Sequence, residues 1–249
     1  MLSPLCDPRA EAVVERLHAQ GDRQFKFLLR HYLLNVIPKR LTGRKYTYPD
    51  QDFMRDKLVP LDRDKCYLCY LLCRAINARR IVEFATSFGV STIYLAAAVR
   101  DSLLAIGGSG VVIGTELEPT KAGAAKSNFV EAGLAEFIDL REGDARETLK
   151  DTGGPVDLLL LDSWIPLARP ILELVAPQLR QGAIVLCDNT TQFRREYREY
   201  LDYVRHPANG FRSMVVPHAG GLELSVKLPL PGTGIHGPSG KSSASVVAQ

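Results

Sequence analysis

The sequence predicts an α/β fold in which a doubly wound, seven-stranded and mostly parallel sheet is flanked by helices and preceded by a helical extension. Two observations lead to this prediction. From residue 80 onward, short apolar runs alternate with segments of helical periodicity, which is typical of parallel strands joined by crossover helices. The last two runs are joined only by residues 217–221, a link that permits an antiparallel hairpin but no parallel crossover. One strand, contributed by this hairpin, should therefore run against the others.

The first part of the chain has a different pattern. Residues 8–36 carry apolar side chains at helical spacing until Pro38 and Gly43 interrupt it, and a second helix opens at Pro60-Leu61-Asp62 and runs to about Asn77. The end of the chain is rich in Gly, Pro and Ser. We therefore divide the chain into an N-terminal helical extension (1–65), a sheet domain (66–229) and a disordered tail (230–249).

Within the sheet domain, strands are predicted at short apolar runs and helices at longer periodic segments. The run Val156–Asp162 is almost wholly apolar, as expected of a strand with both faces covered. Pro119 suits the first turn of a helix and Gly133 its end. The predicted strands are 80–85, 111–117, 137–141, 156–162, 183–187, 211–216 and 222–228. The predicted helices are 91–99, 119–132, 145–150, 171–179 and 193–204.

Composition excludes several classes of protein. With 249 residues, 46% hydrophobic and 24% charged, the chain matches an ordinary soluble domain. No apolar run approaches the roughly 20 residues that a membrane-spanning helix needs. The first residues lack the charged and apolar regions of a signal peptide. We therefore expect a cytoplasmic protein without a membrane partner.

The net charge of +3 is unevenly distributed. Residues 1–80 hold 16 Lys and Arg against 9 Asp and Glu, whereas the remainder holds 15 against 19. The basic excess is concentrated at Lys39-Arg40 and Arg44-Lys45. A solvated surface is the favoured interpretation, and contact with an anionic substrate group or a nucleic acid stays open. Nucleic acid is the weaker of these two, because no zinc-finger, helix-turn-helix or RNA-binding motif accompanies the charge.

The five cysteines include the spaced set Cys66, Cys69 and Cys73. An odd number argues against a disulfide framework. The spacing resembles a metal motif, but it also places the three side chains on one face of a helix within an apolar stretch. Buried cysteine behaves as a small hydrophobic residue, and core packing is the favoured interpretation.

Ligands of a doubly wound sheet bind beyond the carboxyl ends of its strands. The first predicted strand ends at Glu83-Phe84-Ala85, and the small residues that follow would let backbone N–H groups approach a ligand. Ser91 or Thr92 is placed to cap the next helix. The loop has one glycine, Gly89, where dinucleotide-binding loops usually have three, so it is weak evidence by itself.

Acidic residues end the other strands. A carboxylate at Glu116 is placed to accept both hydroxyls of an adenosine ribose, or else it caps the helix at Pro119. Asp144 is placed to accept from an adenine amino group, to cap the following helix, or to do both. Asp162, Asp188 and Asn189 should gather at the same sheet edge, where two carboxylates and an amide oxygen suit Mg²⁺. The alternative for these three is a set of helix caps and loop hydrogen bonds.

From about Met54 to Leu228 the chain resembles the catechol and caffeoyl-CoA O-methyltransferase superfamily. The members of this superfamily are small, cation-dependent class I enzymes that use S-adenosylmethionine. The resemblance starts at Met54 and Val59-Pro60-Leu61-Asp62 and continues through the segment from Val82 to Thr92, which matches the family's cofactor loop. It also includes Glu116, Gly143-Asp144-Ala145, Leu161-Asp162-Ser163-Trp164 and Asp188-Asn189.

The resemblance implies S-adenosylmethionine and Mg²⁺ or a similar divalent cation as cofactors, and it implies roles for individual residues. Asp162 and Asp188 would be catalytic, and Trp164 would line the substrate site unless it is only a packed aromatic. The implied metal ligands are Asp162, Asp188 and Asn189. The implied cofactor-binding residues are Met54, Glu83, Ala85, Ser87, Gly89, Ser91, Glu116, Leu117, Asp144, Ala145 and Asp162.

Two departures from the family pattern bear on the reaction. Ala85 stands where the family has a glycine, and Ile165 stands where it has a lysine that acts as general base. No lysine lies near Ile165 in the sequence, and Arg169 stays protonated. Divalent-metal-assisted O-methylation of a small-molecule hydroxyl, catechol-like or from a natural product, is the first hypothesis.

A metal-independent methyltransferase of the same fold, acting on N, C or another O atom, is the second hypothesis. A cofactor-binding pseudoenzyme and a nicotinamide dehydrogenase are weaker ones. The basic extension favours an anionic acceptor, and assembly as a homodimer stays open.

Overall fold

A computed structural model of the protein describes residues 3–31, 33–34, 37–42, 51–162 and 164–229. Its centre is a seven-stranded sheet with the order β3-β2-β1-β4-β5-β7-β6. Strands β1 to β5 pair in parallel, and β7 lies antiparallel to both β5 and β6. The strands are β1 (Arg80–Phe84), β2 (Val111–Glu116), β3 (Ile138–Glu142), β4 (Val156–Leu161), β5 (Leu179–Asp188), β6 (Phe211–Val216) and β7 (Leu222–Lys227). The predicted fold class, with its single reversed strand from the terminal hairpin, is confirmed.

Helices cover both faces of this sheet. One hydrophobic core lies between the sheet and helices α1, α4, α5 and α6, and a second lies between the opposite face and α7, α8 and α9. Adjacent side chains of β1 pack into different cores: Ile81 lies in the first core and Val82 in the second. This follows because successive side chains of a strand point to opposite faces of the sheet. The helices are α1 (Pro8–His31), α2 (Ile37–Leu41), α3 (Gln51–Met54), α4 (Arg63–Ala75), α5 (Val90–Ile106), α6 (Pro119–Ala132), α7 (Ala145–Thr148), α8 (Ile165–Val175) and α9 (Arg198–Arg205).

Some predicted boundaries are wrong. The helix predicted over 171–179 is α8, which begins six residues earlier because Pro166 fits the first helical turn and Ile165 and Ala168 extend its buried face. The helix predicted over 193–204 becomes regular only at Arg198. Strand β5 begins at Leu179, before the predicted start, since Leu179 pairs with Val156 ahead of a register shift in the ladder. Helix α5 continues to Ile106, seven residues past its predicted end.

The N-terminal helix is part of the first core. Val13, Val14 and Leu17 of α1 are buried there. The Arg9 guanidinium donates to the carbonyl oxygens of Glu131 (2.6 Å) and Val130 (2.7 Å) at the end of α6. The division predicted at residue 65 falls inside α4. The side chains of Lys39-Arg40 and Arg44-Lys45, the loop 46–50 and the tail 230–249 lie outside the described residues.

The three spaced cysteines lie on the buried face of α4. Cys66, Cys69 and Cys73 are each 0% exposed and pack in the first core. Desolvation raises the pKa of all three thiols. Core packing, the favoured interpretation of this motif, is confirmed. Across the described part of the chain, no helix combines the length and the apolar character needed to cross a membrane.

Candidate functional site

A cleft opens at the carboxyl edge of the sheet, between the segment that precedes α4 and the loop that follows β1. Its empty volume, including the space that is open to solvent, is about 290 Å³. Asp162, the first residue after β4, contributes to its wall. The other lining residues are Leu58, Val59, Pro60, Leu61, Ala85, Thr86, Ser87, Phe88, Val90 and Ser91. The loop predicted to hold a cofactor therefore lines a cleft.

The loop after β1 has a tightly constrained backbone. Ala85, Ser87 and Gly89 all have positive φ, at 69°, 53° and 86°. The Gly89 N–H donates to the Thr86 carbonyl oxygen at 2.9 Å. A Cβ atom on Gly89 would lie 2.3 Å from the Phe129 ring, so only glycine fits there. The capping prediction for Ser91 or Thr92 is wrong: Gly89 is the residue before α5, and no side chain caps this helix end.

We expect Ala85→Gly to raise the free energy of unfolding by roughly 1 kcal/mol, because a left-handed conformation costs an L-residue about 1–2 kcal/mol and costs glycine much less. Urea unfolding followed by circular dichroism measures the change. Ala124→Gly, in the middle of α6, is the matched control and should lower the stability by about 1 kcal/mol. Equal destabilisation by both variants would contradict the expectation.

Glu83 lies beneath the loop rather than along the cleft. Its side chain is 0% exposed. Its Oε2 atom accepts from the Thr86 hydroxyl at 2.9 Å and from the Thr92 hydroxyl. Desolvation raises its pKa, although the neighbouring Ser91, Thr92 and Thr86 hydroxyls oppose this. Glu83 thus supports the loop from below, and its predicted direct contact with a cofactor stays a prediction.

Glu116 connects the ends of β2 and β1. Its Oε2 atom accepts from the Ser87 N–H, and its Oε1 atom accepts from the Glu118 N–H, both at 2.8 Å. The residue is 8% exposed. Two backbone donors therefore fix the carboxylate at the rim of the loop, with lone pairs left on both oxygens. This orientation is compatible with the predicted contact to ribose hydroxyls. The adjacent Leu117 is exposed.

Asp144 follows β3 and caps α7. One of its oxygens accepts from the Arg146 N–H at 2.9 Å, which confirms the predicted cap. The Arg146 guanidinium also donates to both carboxylate oxygens, and this contact lowers the pKa of Asp144 to about 2. In the predicted contact, the adenine amino group would donate to lone pairs of the Asp144 carboxylate that Arg146 does not use. Ala145 is buried in the second core.

The other residues that are predicted to contact the cofactor or the substrate differ in how deeply they are buried. Ser91 lines the cleft and is 7% exposed. Met54 ends α3, four residues before the lining residue Leu58, and is partly buried. Arg55 holds this covering segment to Glu118 through an ion pair of 3.2 Å. Trp164 is half-buried directly before α8, next to the cleft residue Asp162. Substrate contact by Trp164 stays a prediction.

Asp188, at the end of β5, forms a buried ion pair that was not predicted. The Lys65 ammonium, from the first turn of α4, lies 2.5 Å from Asp188 Oδ1. The side chains are 1% and 6% exposed. The other oxygen, Oδ2, accepts from the Asn189 side-chain amide at 2.8 Å. Asp62 adds a carboxylate oxygen 3.5 Å from the ammonium, although 60% of its side chain is exposed.

Asp162 and Asp188 belong to one electrostatic group. Desolvation raises the pKa of Asp162 well above its usual range, and the charges of Asp188 and Glu83 raise it further. The pKa of Asp188 is also raised by desolvation, while the Lys65 ammonium opposes that effect. The two predicted catalytic carboxylates are therefore brought together at the sheet edge.

Lys65 is a residue of this site that was not predicted, because it lies far from Ile165 and from Asp188 in the sequence. Lys65 and Asp188 are 123 positions apart. A signal was present in the sequence: Lys65 precedes Cys66 and lies four positions before Cys69, within the apolar stretch of α4. A lysine beside the apolar face of a helix is rarely buried without a charged partner.

Comparison with known proteins shows which proteins the site-bearing part of the chain is similar to. Residues 82–190 match the family model described as a methyltransferase domain. The catechol O-methyltransferase of Mycobacterium tuberculosis (strain ATCC 25618 / H37Rv) is 35% identical over 124 residues, which are 49% of this chain and 53% of that protein. The chain thus spans about half the length of the curated relatives it matches.

Two solved structures share the fold. The O-methyltransferase TomG from Streptomyces achromogenes, in complex with SAM, superposes with a TM-score of 0.60 at 20% identity, covering 78% of this chain and 97% of that one. The O-methyltransferase from Bacillus cereus in complex with SAH gives a TM-score of 0.58 at 20% identity, with coverages of 68% and 82%. Residues 82–190 are thus similar to a methyltransferase domain, about half of the chain is similar to catechol O-methyltransferases, and the whole sheet has the fold of the solved O-methyltransferases.

Proposed function

We propose that this chain binds S-adenosylmethionine in the cleft and transfers its methyl group to a hydroxyl oxygen of a small molecule. The observation that carries the proposal is Glu116, fixed by the Ser87 and Glu118 N–H groups at the rim of the strained loop. The order of functional residues along the strands supports it. The catechol O-methyltransferase relatives support oxygen as the accepting atom.

The reaction needs little covalent chemistry from the protein. A lone pair of the acceptor oxygen forms the new C–O bond while the S–CH₃ bond breaks, and the bonding electrons stay on sulfur. The products are the methyl ether and S-adenosylhomocysteine, and the hydroxyl proton passes to water or a basic group. The main contribution of the chain is therefore alignment of acceptor oxygen, methyl carbon and sulfur. The cofactor loop and the covering segment 58–61 are the elements placed to provide it.

The arrangement at Asp188 does not fit the divalent cation implied by the family resemblance. A Mg²⁺ ion about 2.1 Å from Oδ1 would lie within about 4.6 Å of the Lys65 ammonium and would be repelled by about 7 kcal/mol at an effective dielectric constant of 20. The Asn189 amide group donates to Asp188, and its oxygen lies against Gly220, where a Cβ would come within 2.3 Å.

Metal-assisted transfer through Asp162, Asp188 and Asn189 thus stays a prediction from the resemblance alone. The Lys65 contact favours the second hypothesis, a methyltransferase of the same fold that needs no divalent cation. Both hypotheses share the cofactor and the fold, so one binding experiment tests their common basis.

Isothermal titration calorimetry should detect binding of S-adenosylhomocysteine at a ratio of one per chain and no binding of NAD. Methyl transfer from labelled S-adenosylmethionine to a panel of catechols, other phenols and anionic polyphenols then tests the acceptor class. Binding of NAD in place of S-adenosylhomocysteine would overturn the proposal. Binding of S-adenosylhomocysteine without transfer to any acceptor would support the pseudoenzyme hypothesis instead.

A further inference from the structure

The buried cation at the sheet edge is supplied by the chain itself. Lys65 has a side chain that is 1% exposed, and its ammonium contacts Asp188 Oδ1 at 2.5 Å and Asp62 Oδ2 at 3.5 Å. A lysine is almost never buried to this extent unless it is paired. The ammonium therefore has a defined position, set by α4 on one side and by the end of β5 on the other.

The carboxylates around this ammonium come from three separate parts of the fold. Asp62 directly precedes α4, Asp162 follows β4, and Asp188 ends β5. Asp162 also reaches the cleft wall. Two of these acids, Asp62 and Asp188, contact the ammonium directly, and Asp162 lies beside Asp188 at the ends of the paired strands β4 and β5. Oxygen-rich acidic clusters of this kind attract hard cations such as Mg²⁺ and Mn²⁺, and here the ammonium already occupies the contact with Asp188.

We propose that Lys65 is the resident cation of this site and substitutes for a divalent metal ion. It neutralises Asp188, keeps the ends of β4 and β5 in register with α4, and makes methyl transfer independent of added divalent cation. The last of these statements rests on the proposed function. Lys65 is a positioning residue, because it is closed off from the cleft and acts through Asp188 and its acidic neighbours.

The proposal predicts that removing the ammonium creates a metal site. Lys65→Met keeps a side chain of similar length but leaves the carboxylates without their cation. Mn²⁺ binding is measured by electron paramagnetic resonance and calorimetry on the full chain, with S-adenosylhomocysteine present. The wild-type protein should show no Mn²⁺ binding below 1 mM, a chosen cut-off that corresponds to about 4 kcal/mol in binding free energy. Lys65→Met should bind one Mn²⁺ at least tenfold more tightly and gain thermal stability when Mn²⁺ is added.

Two further variants make the test specific. Lys150→Met removes an exposed lysine that is paired with Glu147 at 2.5 Å, and it should leave Mn²⁺ binding unchanged. The double variant Lys65→Met with Asp188→Asn removes both buried charges and should lose the gained affinity. It also supplies a folded protein without the ammonium if the single variant does not fold.

Tight binding of one Mn²⁺ by the wild-type protein, or loss of its methyl transfer in chelator, would overturn the proposal. The same holds if Lys65→Met folds and binds Mn²⁺ no better than Lys150→Met. If Lys65→Met cannot be purified folded, the wild-type Mn²⁺ titration decides the question by itself. The metal-binding measurements need no methyl acceptor. Failure to find any methyl transfer would therefore count against the proposed function and leave this inference standing.

Discussion

Replacing Lys65 with methionine is expected to lower the free energy of unfolding by about 3–5 kcal/mol, when measured in chelator at neutral pH. The variant leaves Asp188 buried without its cation, and an unpaired buried carboxylate loses most of its solvation. Asp62 adds little to this loss, because its side chain is 60% exposed and stays solvated without the ammonium. Urea unfolding followed by circular dichroism measures the loss.

A double-mutant cycle separates the charge interaction between Lys65 and Asp188 from the packing of the Lys65 side chain. Asp188→Asn combined with Lys65→Met removes both charges, and this combination should be more stable than Lys65→Met alone, because no uncompensated charge remains. Lys150→Met should change the stability by less than about 0.5 kcal/mol, since an exposed ion pair contributes little. If Lys65→Met and Lys150→Met had the same small effect, Lys65 would not be a buried cation in solution.

Replacing Glu116 with alanine is expected to weaken S-adenosylhomocysteine binding about 100-fold, which corresponds to about 3 kcal/mol. Hydrogen bonds to a charged acceptor contribute about 1.5–3 kcal/mol each, and the carboxylate is placed to accept from two ribose hydroxyls. Glu116→Gln keeps one oxygen acceptor at the same position and should lose about tenfold. Calorimetry with S-adenosylhomocysteine measures both changes.

Glu142 provides the control for this substitution. It is the register partner of Glu116 on β3, is paired with Lys126 at 2.6 Å, and is exposed. Glu142→Gln should leave S-adenosylhomocysteine affinity unchanged within twofold. Since Glu116 also accepts from the Ser87 and Glu118 N–H groups, the urea stability of each variant shows whether the loop stays folded. Unchanged affinity in a folded Glu116→Ala protein would remove the main support for cofactor binding at this cleft.

Local patterns were sufficient to predict the sheet and the positions of its acidic ends. Strand β4 is an unbroken apolar run because both of its faces are covered, and the five-residue link 217–221 permits only a hairpin. Those two features predict the parallel core and the reversed strand β7. Because parallel strands all present their carboxyl ends to one edge, they also predict that Glu116, Asp144, Asp162 and Asp188 lie along one side of the sheet.

Predictions at helix ends were less accurate, because several residue types satisfy a helix end equally well. Ser91 or Thr92 was expected to cap α5, but neither does so, and the Thr92 hydroxyl instead donates to the buried Glu83 carboxylate. Pro166 was not used as a start signal, so α8 was placed too late. Asp144 does cap α7 as expected, but its pairing with Arg146 depends on the side-chain conformation and is not evident from the spacing.

The sequence by itself determined the fold class, the position of the small-residue loop after β1 and the acidic residues at the strand ends, because each of these depends on neighbouring positions in the chain. Only the tertiary structure decided what Asp188 contacts. Its partner, Lys65, lies 123 positions away and is brought to it by the packing of α4 against the core. Burial makes that single contact decisive, because a charge removed from water must be paired. It favours an ammonium over a metal ion at this edge of the sheet.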